Sequence, residues 1–70
     1  MMRFPQLGDV QVGDIVKGLF YERLLRITKK ETIESGDLKG HTRYNAIYLE
    51  GPEQGTEVTL YNFMAYKKEA

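Results

Sequence analysis

Few residues in this chain are of a type that does covalent chemistry, and their spacing limits what each could do. His41 is the single histidine. It stands between Gly40 and Thr42, four residues after Asp37. General acid–base work needs a partner held within hydrogen-bond reach, and a glycine-bounded stretch holds such geometry poorly, so a solvated loop histidine is expected. Glu50 and Glu53 flank a Gly-Pro turn, and Glu31 and Glu34 lie at the end of an apolar stretch, where carboxylates are solvated. The chain has no cysteine, which excludes a thiolate nucleophile, a disulfide framework and a thiolate metal site. One histidine cannot build a His-based zinc centre. Neither a Walker spacing nor a G-x-G-x-x-G loop occurs. A non-enzymatic protein is expected, with no catalytic residue, no metal and no cofactor.

Binding chemistry is better represented. Arg23, Arg26, Lys29 and Lys30 fall in one stretch, Arg43 in the next, and Lys67-Lys68 near the end. Alternation sets Arg26 and Lys30 on a solvent face beside Tyr44 and Tyr48. Cations interleaved with aromatic rings are the composition of single-stranded nucleic-acid grooves, where bases stack and cations track phosphates. Arg26, Lys30, Arg43, Lys67 and Lys68 are the candidates for that role. Glu22, Glu31, Glu34 and Glu50 oppose the field, and a mixed-charge solvated sheet is the plainer expectation. Tyr44 and Tyr48, with Thr28 and Thr32 across from them, make a second candidate: an interface core low in charge, rimmed by Arg26, Lys30 and Glu50. Phe4, Phe20 and Phe63 are expected in the core or as lids on it.

The elements that must position these residues are short. The chain has 70 residues, ten Lys+Arg against ten Asp+Glu, 41% hydrophobic and 29% charged residues. That is ordinary globular composition for one domain. A folded chain this small removes only about 60% of its unfolded surface from water, leaving little core for a deep pocket. Zero net charge argues against strong non-specific attraction to nucleic acid, although a local basic patch stays open. No run approaches the roughly 18 apolar residues of a membrane span, and Met1 to Pro5 hold no apolar signal core, so a cytoplasmic, intracellular protein without membrane association is expected.

Seven glycines cut the chain into pieces, none of which carries three turns of helical periodicity. The pieces over 14–17, 23–33, 42–50 and 57–61 are rich in β-branched and aromatic residues and predict strands. Residues 62–64 predict a single turn and 65–68 a last strand, with residues 1–8 an N-terminal extension. Ser35 to Gly40 and Gly51 to Gly55 predict turns. The rival, a helix over 19–30, gives no clean apolar face, because Leu24, Leu25 and Ile27 spread around the wheel. Centring the first hairpin on Leu38 opposes Ile27 to Leu49 and Lys29 to Ile47. On the other face it sets Thr28 against Tyr48, Thr32 against Tyr44 and Arg26 against Glu50. Leu25, Ile27, Ile47 and Leu49 would then be the core side, and Tyr44 and Tyr48 would face outward.

Five strands and one turn of this kind suggest a small, strongly bent barrel. Val10 to Lys17, with Gly13-Asp14-Ile15-Val16, resembles the first strand of SH3-like barrels. Leu24 to Ile27, Tyr44 to Leu49 and Val58 to Tyr61 resemble their next three, and Asn62-Phe63-Met64 the 3₁₀ turn that follows. The resemblance spans roughly residues 8 to 68 and implies an all-β, five-stranded SH3-like barrel, a fold that serves many functions. Narrower likenesses break at named positions. Lys17-Gly18 is similar to the start of a KOW loop, but Tyr21 replaces its second glycine. Val58-Thr59-Leu60-Tyr61 resembles the pore strand of the tetrameric type II dihydrofolate reductases, with Thr59 for Gln and Leu60 for Ile. The Arg-Gly of Sm-like rings is absent. A Tudor-type cage for a methylated cation would need Phe20 and Tyr21 to converge with Tyr48 or Tyr61.

The sequence thus predicts a binding or assembly module whose partner is another protein or a second copy of itself, through the Tyr44/Tyr48 face. A nucleic-acid-binding barrel using the basic and aromatic face is the alternative, and a subunit of an oligomeric pore-type enzyme the third.

Overall fold

The computed structural model describes residues 7, 9–19 and 22–69. They form one antiparallel sheet of five strands: β1 (Ile15–Gly18), β2 (Leu24–Thr32), β3 (Thr42–Tyr48), β4 (Glu57–Tyr61) and β5 (Tyr66–Lys68). The spatial order is β4-β3-β2-β1-β5. No helix occurs among the described residues, and residues 24–30 belong to β2. Every predicted strand is present, within a few residues of its expected limits. Two finer expectations are corrected. The sheet does not close into a barrel, because β4 and β5 are its two edges and do not pair. Residues 62–64 form no 3₁₀ helix: a single β-turn carries the chain there, the Met64 N–H donating to the Tyr61 carbonyl at 3.0 Å.

The first hairpin takes a register other than the expected one. Leu25 opposes Tyr48, Arg26 opposes Ile47 and Ile27 opposes Ala46. After a bulge at Thr28, Lys29 opposes Asn45, Lys30 opposes Tyr44 and Thr32 opposes Thr42. The physical reason lies in β3. Turning Ile47 and Leu49 inward would carry Arg43 and Asn45 inward with them, since side chains alternate. Turning Tyr44, Ala46 and Tyr48 inward buries no charge. The loop follows this choice. Its closing pair is Ile33 with His41, whose carbonyl accepts the Ile33 N–H at 2.9 Å, and the Gly40 N–H returns to the Ile33 carbonyl. Gly36 and Gly40 take φ of 86° and 91°, the positive values expected of this loop, which a side chain would resist.

The core lies on the inner side of the bent sheet. It consists of Leu7, Val10, Val16, Leu25, Ile27, Tyr44, Ala46 and Leu60, flanked by half-buried Tyr48, Val58, Met64 and Tyr66. Ala46 is small and sits directly opposite Ile27, so the large rings at 44 and 48 fill the space on either side of it. Leu7, expected in an extension, is fully buried and donates its N–H to the Met64 carbonyl at 3.1 Å. Ile47 and Leu49, expected in the core, are half-buried on the outer side. Phe63, expected as a core lid, is 41% exposed. Phe4 and Phe20 lie outside the described residues.

Candidate nucleic-acid interface

Cross-strand pairing sorts the side chains into two faces. On the outer face, Lys67 opposes Lys17 and Lys17 opposes Leu24. The next row runs Ile15, Arg26, Ile47, Glu57. Then come Lys29, Asn45 and Thr59, and finally Glu31, Arg43 and Tyr61. The bulge at Thr28 decides the composition of this face. Arg26 and Lys29 are three apart and would lie on opposite sides of a regular strand. The extra residue brings both to the outer side. It also turns Lys30 to the inner side, opposite Tyr44.

Ion pairs separate the cations further. Lys30 Nζ reaches Asp9 Oδ1 at 3.1 Å, and Lys68 Nζ reaches Asp14 Oδ2 at 3.3 Å. Arg23 pairs with Glu53. Arg43 donates through Nε to its cross-strand neighbour Glu31 at 2.7 Å. Among the described residues Lys17, Arg26, Lys29, Lys39 and Lys67 make no ion pair. Lys39 is in the β2–β3 loop, and the other four are all on the outer face. They run diagonally: Lys67 and Lys17 at one corner, Arg26 in the middle, Lys29 beyond it. Glu57 and, one residue past β5, Glu69 stand at the two ends of the Arg26 row.

The ion pairs leave their mark on acidity. The Arg43 hydrogen bond holds the Glu31 carboxyl below its usual value, opposed by partial desolvation and aided by the charges of Arg43 and Lys29. Asp14 is also lowered, first by the Gln11 backbone N–H at 2.8 Å and then by Lys68. Desolvation raises Tyr66, with Tyr48 adding a second push.

At the far corner of the outer face the rings gather. Tyr61 and Phe63 stack with centroids 5.3 Å apart and planes 8° from parallel. His41 meets Phe63 edge-on at 5.2 Å and 81°. Its Nδ1 lies 3.1 Å from Asn62 Oδ1, which ties the imidazole to the turn after β4.

Of the expected nucleic-acid set, Arg26, Arg43 and Lys67 share the outer face, with Arg43 neutralised by Glu31. Lys30 and Lys68 do not join them. Lys17 and Lys29 were missed, and only the bulge, which no sequence period announces, could have revealed Lys29. The expected interface set disperses. Tyr44 is 2% exposed in the core. Tyr48 lines an apolar cleft of about 250 Å³ with Leu19, Leu25, Met64 and Tyr66, on the inner side. Thr28 sits in the bulge, and Thr32 is exposed near the hairpin loop. Tyr48 and Tyr61 lie on opposite faces, so an aromatic cage would draw on one of them. Its other members, Phe20 and Tyr21, lie outside the described residues. No protein-family model, curated protein or solved structure matches this chain.

Proposed function

We propose that this chain is a nucleic-acid-binding module that works through the outer face of its sheet. One observation carries the reading: every strand cation left without a carboxylate partner lies on that face, among the described residues. Cations that serve stability pair off, as Arg23, Lys30, Arg43 and Lys68 do. Four left unpaired on three adjacent strands give a local positive field in a chain of zero net charge, and phosphate contact with local cations is what drives polyanion binding. The resemblance to SH3-like barrels belongs to the same proposal, supported by five short antiparallel strands and a β2 kinked by a bulge.

Binding of a labelled single-stranded oligonucleotide, followed by fluorescence anisotropy at increasing salt, tests the reading. Log affinity should fall with log salt with a slope of about −0.7 for each phosphate contacted. No binding at low ionic strength would overturn it.

A second reading, association with a protein or a second copy of the chain, is favoured by the two unpaired sheet edges and the cleft between Tyr48 and Tyr66. Light scattering separates the two. A monomer that binds the oligonucleotide supports the first, and a stable assembly that does not bind it supports the second.

A further inference from the structure

Resting on that reading, we infer that the bound polymer is a single strand and that the stacked Tyr61–Phe63 pair receives one of its bases. In a regular strand, residues two apart are roughly 7 Å apart along the chain, too far for their rings to stack. The turn after β4 closes that gap, and the rings come to 5.3 Å. The turn is fastened to β3, where the Asn62 N–H donates to the Thr42 carbonyl at 3.0 Å and Asn62 Oδ1 accepts from the Thr42 N–H at 3.4 Å. The pair is therefore held in shape before any ligand arrives. Phe63 and Val12 are the large hydrophobic residues exposed among the described residues, so Phe63 is an open ring that the core does not use.

Its position relates it to the cations. Tyr61 ends the row of Glu31 and Arg43, and Lys29 begins the next row, two strands away. Strand spacings place Lys29 roughly 12 Å from Tyr61, a separation that leaves room for a nucleotide between ring and ammonium. A strand laid along the diagonal would set a base on Phe63 and successive phosphates on Lys29, Arg26 and the Lys17/Lys67 corner. A duplex keeps its base faces stacked on each other and offers the rings only its two ends, whereas single strands present a π-face at every base.

The test uses four probes on the intact chain: DNA and RNA single strands of about a dozen nucleotides, a blunt duplex of the same length, and linear polyphosphate. Wild type should bind both single strands more tightly than the duplex. Phe63→Leu should weaken the single strands about ten-fold while leaving polyphosphate unchanged, because stacking is lost and charge is not. Phe63→Trp should keep the affinity and lose emission when a strand binds, which guards against a leucine variant that fails to fold. A preference for one sugar identifies the polymer and supports the inference equally. Phe63→Leu binding single strands as wild type does, or wild type preferring the duplex, overturns this inference while the proposed function stands. Failure of wild type to bind any of the four probes overturns the proposed function itself.

Discussion

On the inner face of the sheet Lys30 and Lys68 each meet a carboxylate, and the space between them is filled by Leu25, Ile27, Tyr44, Ala46 and Leu60. On the outer face Ile15, Leu24, Ile47 and Leu49 are only half-buried, and Lys17, Arg26, Lys29 and Lys67 have no carboxylate partner among the described residues. Both faces are built from the same strands, and adjacent residues supply one or the other. Charge pairing, more than hydrophobicity, tells the two faces apart. Isoleucine is found on both, whereas unpaired strand cations are found on one.

The largest effects should come from the inner face. Leu25→Ala should cost about 2–5 kcal/mol, and Tyr44→Ser should unfold so small a domain. Ile47→Ala, of similar chemistry on the outer side, should cost about 1 kcal/mol. Chemical denaturation measures all three, and equal losses at Leu25 and Ile47 would erase the distinction between the faces. Next comes the loop that sets the register. Gly40→Ala places a side chain at φ 91° and should cost about 1–2 kcal/mol in thermal unfolding.

Smaller still in stability, and larger in binding, is the change of cations. The double variant Arg26→Gln, Lys29→Gln should shift stability by under about 0.5 kcal/mol and reduce the salt slope by about 1.4. Lys30→Gln should leave the slope as it is, because Lys30 lies on the inner side with Asp9. If the two variants lost binding equally, the face assignment would fail.

The smallest effect is in pH. The folded values of Glu31 and Asp14 lie below their unfolded ones, so each adds stability above the usual carboxylate range and loses it as pH falls through its lowered folded value. Glu31→Gln should therefore lower stability slightly at neutral pH and flatten the acid limb, the difference from wild type vanishing below about pH 4. Both groups are open to solvent, and the change should be slight.

Much of this architecture was legible in the chain. Gly36 and Gly40 bracket the loop, and the near-alternation of Glu57 to Tyr61 marks a strand, because turn chemistry and strand period are local properties. Leu25, Ile27 and Arg26 were placed on their correct sides. Hydrophobicity alone points β3 the wrong way, because Ile47 and Leu49 carry more apolar character than Ala46. The cost of carrying Arg43 and Asn45 inward decides the matter and points to Tyr44. The bulge at Thr28 has no local signature, since it lies in how β2 pairs with β3 rather than in β2 alone. For that reason Lys29 and Lys30 exchanged roles. Phe63 looked like core because large rings usually are, and its exposure follows from the turn that stacks it on Tyr61.

The central claim is that the outer face is the face that binds. Amide chemical-shift mapping by NMR during titration with a single-stranded oligonucleotide tests it directly. Perturbations should run along the diagonal from Lys67 and Lys17 through Arg26 and Lys29 to Tyr61 and Phe63, with the amides beside Lys30 and in the Tyr48–Tyr66 cleft unmoved. Perturbations centred on Leu19, Tyr48 and Tyr66, or none at all at low salt, would contradict it.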